Sequence, residues 1–130
     1  MNKAIHKILI VEDNEVDRFL IRKLVEKVVA DVHEAVTITE AKAKIAEHEY
    51  DLVLLDIRMP DGLSTDHLRH FYEIRPGLDI LLVSGARPAC NGEGIKAQKV
   101  PVFLHKDDIE FLAELIDIKL QLKGIREVLG

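Results

Sequence analysis

The feature that most constrains the fold is a set of five short apolar runs whose β-branched or leucine-rich interiors lack polar alternation. They lie at Lys7 to Val11, Asp31 to Ala35, Asp51 to Leu55, Asp79 to Val83 and Val100 to Leu104. A strand with one wet face alternates with period two, and its absence is expected when helices cover both faces of a parallel sheet. Amphipathic stretches of helical periodicity separate the runs, at about Asn14 to Val29, Ile38 to His48, Ser64 to Ile74 and Asp108 to Leu122. Thr37 with Glu40, and Asp107 with Glu110, have capping-box spacing. Five βα units in succession predict an α/β fold, a doubly wound five-stranded parallel sheet with helices on both faces. The fourth helical slot, Arg87 to Gln98, contains Pro88, Asn91, Gly92 and Gly94. Each interior glycine costs ~1 kcal/mol relative to alanine, so this helix is expected to be short or irregular and the most mobile part of the chain.

Composition narrows the function. A chain of 130 residues with 48% hydrophobic content fits a single domain, with its core at 7–122 and a C-terminal tail at 123–130. The net charge of -5 gives no electrostatic reason to expect nucleic-acid binding. No apolar stretch approaches the ~20 residues that span a bilayer, and the N-terminus lacks the features of a signal peptide. Cys90 is the sole cysteine, so no internal disulfide can form and a cytoplasmic location is expected.

In an open parallel sheet, ligands bind beyond the carboxyl ends of the strands. That edge collects Glu12 and Asp13 from the first strand, Asp56 from the third, Ser84 from the fourth and Lys106 from the fifth. Carboxylates held close repel one another unless a cation neutralises them. A hard divalent cation, Mg²⁺ or Mn²⁺, suits such oxygen ligands. Lys106 can balance a bound anion, and Asp56 is the candidate nucleophile.

With those motifs in place, the sequence resembles the receiver domains of two-component response regulators over about Lys7 to Leu122. The resemblance rests on the acid pair in "VEDN", the aspartate before Met-Pro in "LLDIRMPDG", the serine in "LLVSGA", and Phe103 with Lys106 in "FLHK". It implies a flavodoxin-like sheet of strand order 2-1-3-4-5 and a signalling switch rather than an enzyme, one that assists its own phosphorylation and dephosphorylation. Asp56 would accept a phosphoryl group from a histidine kinase or histidine phosphotransfer domain. Asp13, Glu12, Asp56 and the backbone carbonyl of Arg58 would hold the Mg²⁺. Ser84 and Lys106 would meet the phosphoryl oxygens, and Phe103 would follow the movement of Ser84. The family usually places proline after its lysine. Here Asp107 follows, and a trans peptide is expected because a cis non-proline bond costs ~3 kcal/mol.

Two other functions fit parts of the pattern. A haloacid-dehalogenase-like phosphatase also forms an aspartyl phosphate after a strand, but it needs an acid where this chain has Arg58. A degenerate receiver acting only as a docking module is disfavoured because the whole residue set is present. His67 and His70 share a helical face without a third ligand and read as solvated side chains. On the final helix, Ile109, Leu112, Ala113, Ile116 and Leu120 form one apolar stripe, and Phe111, Leu115, Ile118 and Leu122 form a second. The second is either buried beneath a folded-back tail from Gly124 to Gly130 or exposed as a surface for a downstream partner or homodimer. In the latter case the output face is formed by the fourth helical segment, the fifth strand and the final helix, with Phe111, Leu115 and Ile118 at its centre.

Overall fold

The computed structural model describes residues 6–86 and 101–129, excluding the side chains of Arg126 and Glu127. The Arg87 to Gln98 segment, with the expected fourth helix and Cys90, lies outside the described residues. In chain order the elements are β1 (Lys7–Val11), α1 (Glu15–Val25), β2 (Asp31–Ala35), α2 (Ile38–Glu47) and β3 (Leu52–Leu55). Two very short strands follow, β4 (Arg58–Met59) and β5 (Gly62–Leu63), then a 3₁₀ turn at Ser64–His67 and α3 (Leu68–Ile74). The chain continues through β6 (Ile80–Ser84), β7 (Val102–His105), a second 3₁₀ stretch at Lys106–Phe111 and α4 (Leu112–Leu129).

The five longer strands form one parallel sheet in the order β2-β1-β3-β6-β7. This is the flavodoxin-like 2-1-3-4-5 order once the small β4–β5 hairpin is set aside. Successive strand residues point to opposite faces, so each unbroken apolar run supplies two cores. On one face Leu9, Val11, Val53, Leu55 and Leu82 pack with Ile38, Ile45, Leu68 and Phe71 of α2 and α3. On the other, Ile8, Ile10, Leu54 and Leu81 pack with Ile21 and Val25 of α1 and Leu112 and Ile116 of α4.

Local chemistry sets the ends of the elements. Asn14 caps α1, its Oδ1 accepting the Asp17 N–H at 2.9 Å. That helix stops at Val25, short of the expected Val29. Thr37 caps α2 as expected, its hydroxyl accepting the Glu40 N–H at 3.0 Å. The first two amides of α2, from Ile38 and Thr39, donate to the Asp61 carboxylate at 2.9 and 3.0 Å. These donors hold the Asp61 carboxyl below its usual range, as expected for an acid at a helix N-terminus. The loop after β3 is thereby tied to α2.

Three expectations need correction at the C-terminal end. β7 spans Val102–His105 rather than Val100 to Leu104. It follows Pro101, which has no N–H to contribute to a sheet. The Asp107–Glu110 capping box is replaced by a cap from His105, whose Nδ1 accepts the Asp107 N–H at 3.0 Å. Residues Gly124 to Leu129 are not a folded-back tail, because α4 continues through them to Leu129. Every described peptide bond is trans, Lys106–Asp107 included.

Candidate functional site

Strand register brings the site together. Leu55 of β3 is level with Val11 of β1 and Leu82 of β6, and Ser84 of β6 is level with His105 of β7. Glu12 and Asp56 therefore leave the sheet side by side, and Ser84 and Lys106 emerge next to them. Asp56 is buried, and its two oxygens differ. Oδ1 accepts the Ser84 hydroxyl at 2.6 Å and the Ile57 N–H at 2.8 Å. Oδ2 has a longer contact with Lys106 Nζ at 3.4 Å. The Asp56 carbonyl accepts the Ser64 hydroxyl at 2.5 Å, which fixes the following loop. Oδ1 is held by two donors, while Oδ2 has the longer Lys106 contact alone and is the freer oxygen.

Lys106 reaches three carboxylates. Its Nζ lies 2.7 Å from Glu12 Oε1, 2.7 Å from Asp17 Oδ2 and 3.4 Å from Asp56 Oδ2. Burial opposes its charge, but the bonds to Asp17 and Glu12 and the charge of Asp56 outweigh that and raise its pKa. Glu12 is 1% exposed. Burial pushes its carboxyl up to about 7; Lys106 opposes this and the neighbouring Asp56 charge adds to it. Its Oε2 accepts the Asn14 N–H at 3.1 Å. Lys106 is close to Oε1, yet that buried oxygen has no hydrogen bond of acceptable geometry.

Glu12, Asp13 and Asp56 each offer a carboxylate oxygen within 4.8 Å of the others. A triad of hard oxygen donors, two of them on buried side chains, fits a divalent cation of the magnesium type. Arg58 is exposed at the start of β4, two residues beyond Asp56. Phe103 is half-buried, packs against the core on the α2–α3 side and meets the His105 ring edge-on at 6.2 Å. The structure thus brings Glu12, Asp13, Asp56, Ser84 and Lys106 into one cluster. Phe111, Leu115 and Ile118 lie elsewhere, on the last helical segment. Phe111 and Ile118 are half-exposed, while Leu115 is partly buried against the core.

Sequence reasoning missed two features beside the cluster. Asp17 contacts Lys106 from 89 positions away, and no local spacing announces such a pair. Val16, Phe19 and Leu20 are exposed on α1. Their i, i+3, i+4 spacing, on the side of the helix away from Ile21 and Val25, was a readable signal.

The titration of Glu12 gives a testable consequence. Its folded pKa lies above the 4.5 of the free side chain. Its stabilising contribution is therefore complete below about pH 4.5 and lost as pH rises through about 7. In chelator, denaturant unfolding should show up to a few kcal/mol of this dependence, with Glu12→Gln flattening it. A wild-type profile that climbs from pH 5 to 8 would contradict the assignment.

A five-stranded parallel sheet with carboxylates, a hydroxyl and a lysine clustered at its carboxyl edge defines the class of α/β module. Residues 8–117 match the response regulator receiver domain family, and the chain belongs to it. Among curated relatives, the response regulator PilR of Pseudomonas aeruginosa is 25% identical over 119 residues. The match covers 91% of this chain and 27% of that protein. The hybrid signal transduction histidine kinase G of Dictyostelium discoideum is 35% identical over 129 residues, covering 95% of this chain and 3% of that protein. The chain thus spans about a quarter or less of the length of these relatives. A CheY-like response regulator receiver domain protein from Methanospirillum hungatei is 27% identical with a TM-score of 0.83, covering 95% of this chain and 99% of that one. Receiver domains are signalling modules. Among the described residues, no helix is long and apolar enough to cross a membrane.

Proposed function

We propose that this chain is a cytoplasmic phosphorylation switch whose acceptor is Asp56. The supporting observation is the asymmetry of its carboxylate, with Oδ1 held by Ser84 and the Ile57 amide and Oδ2 facing Lys106. Oδ2 attacks the phosphorus of a phosphohistidine on a histidine kinase or phosphotransfer protein. The P–O bond forms as the P–N bond breaks, and the imidazole nitrogen takes the electron pair. Such transfers depend on positioning and charge neutralisation. Lys106 and Ser84 sit where they can meet phosphoryl oxygens.

Glu12, Asp13, Asp56 and the Arg58 carbonyl would hold Mg²⁺ or Mn²⁺, which supplies positive charge to offset the transferred group. Water attacking the acyl phosphate would release inorganic phosphate and restore the carboxylate. Exposed Val16, Phe19 and Leu20 lie on α1, the helix whose Asp17 reaches Lys106, and offer the phosphodonor an apolar seat. On the output side, Phe111, Leu115 and Ile118 centre a surface on the final helix. Val102 extends this surface, since it lies on the same sheet face as Leu104. Movement of Ser84, followed by Phe103, would couple the two regions.

Incubation with acetyl phosphate and Mg²⁺ should add the mass of one phosphoryl group to the intact chain, and chelator should prevent it. Absence of an adduct with Mg²⁺ present would favour a constitutive docking module.

A further inference from the structure

We infer that Asp17 is a positioning residue, holding the Lys106 ammonium from the first turn of α1 at the place where a phosphoryl oxygen on Asp56 arrives. The inference rests on the acceptor reading of Asp56 and deepens it by naming what aims the lysine. Among the carboxylates around Nζ, Asp17 makes the best bond. Its Oδ2 accepts from Nζ at 2.7 Å, whereas Asp56 Oδ2 is 3.4 Å away. Glu12 Oε1 also lies at 2.7 Å, but without hydrogen-bond geometry. A charged bond of 2.7 Å falls in the short, strong range, and a 3.4 Å contact lies beyond it.

Lys106 needs such a hold. It follows the edge strand β7 and opens a 3₁₀ stretch. Its stem passes over Gly85, where a β-carbon would touch its Cδ at 4.0 Å. The flexible four-carbon stem leaves the ammonium without a fixed place unless a partner binds it. Asp17, by contrast, stands on a braced frame. Asn14 Oδ1 accepts the Asp17 N–H at 2.9 Å. The neighbouring Arg18 donates through Nη1 to the Glu12 and Asp13 carbonyls at 3.1 and 3.3 Å. Its Nε meets Glu34 of β2 at 2.7 Å. The first turn of α1 is thereby tied to the loop that carries the acid pair.

The acids divide the work. Glu12, Asp13 and Asp56 form the group that fits a cation, and Asp17 is outside it. A cation drawing on Glu12 leaves Asp17 as the close partner of Lys106 among the described residues. An ammonium has three donors. With one on Asp17, another can meet an oxygen carried by Asp56 Oδ2, closing the present gap without release of Asp17. A positive charge placed in advance where negative charge develops assists such transfers. Charge alone predicts the opposite sign, because removing a carboxylate from an acidic pocket eases the approach of an anionic phosphodonor. The direction of the effect therefore separates positioning from simple repulsion.

The test compares the full chain with Asp17→Asn, Lys106→Met and the double variant. Phosphorylation by acetyl phosphate with Mg²⁺ is followed by intact mass, and beryllofluoride binding by fluorine NMR. Circular dichroism checks that the variants remain folded. Asp17→Asn should slow phosphorylation and weaken beryllofluoride binding about fivefold or more. In the Lys106→Met background the same change should have an effect of less than about twofold, because Asp17 acts through the lysine. Faster or unchanged phosphorylation in Asp17→Asn, or an equal loss in the Lys106→Met background, would overturn the inference. Those results leave Asp56 standing as acceptor, since the wild type still gains its adduct. A wild type that neither gains an adduct nor binds beryllofluoride would overturn both readings.

Discussion

Replacing Asp56 with asparagine is expected to abolish phosphorylation while making the metal-free fold more stable. An amide cannot attack phosphorus or carry an acyl phosphate, so the loss should be complete rather than partial. The stability change has a different origin. Lys106 is the one cation within bonding distance of Glu12, Asp17 and Asp56 among the described residues, so negative charge exceeds positive in the cluster. Asparagine keeps an acceptor for the Ser84 hydroxyl and removes one buried charge from beside Glu12. A gain of about 1 kcal/mol in chelator is expected by denaturant unfolding. A loss of several kcal/mol would mean that the Lys106–Asp56 contact outweighs the repulsion.

Phe71→Ala should produce the largest loss of stability. Phe71 is fully buried on α3, in the core shared with α2 and the sheet. Truncating such a ring removes its transfer energy and leaves a cavity, costing about 3–5 kcal/mol. That is a large share of the ~5–15 kcal/mol that holds a typical domain together. Ile118→Ala, at a half-exposed position of α4, should change stability by less than about 1 kcal/mol. The pair is read from urea midpoints. Similar costs for both would place Ile118 in the core and contradict the exposed-stripe assignment.

The parts of the fold readable from sequence are those where burial is symmetrical. β1, β3 and β6 are covered on both faces, so their apolar runs announced a parallel sheet, and the register then aligned Glu12, Asp56 and Ser84. The extent of α4 was misjudged because the stripe facing the sheet ends at Leu120 and Gly124 suggested an end. Ile125 and Leu129 are exposed, so no burial pattern marked this last part of the helix. The second acid on Lys106 was hidden for another reason. Asp17 and Lys106 meet only because α1 crosses beside the carboxyl edge, a tertiary fact with no local spacing. Similarly, nothing in the local sequence shows that the Asp61 carboxylate closes the start of α2.

The central claim is that Asp56 carries the phosphoryl group, and borohydride trapping tests it most directly. An acyl phosphate on aspartate is reduced to homoserine, and peptide mass mapping locates the converted residue. After treatment with acetyl phosphate and Mg²⁺, the account predicts homoserine at position 56 alone. Conversion at Glu12, Asp13 or Asp17 in place of Asp56, or stable phosphorylation that borohydride does not touch, would contradict it.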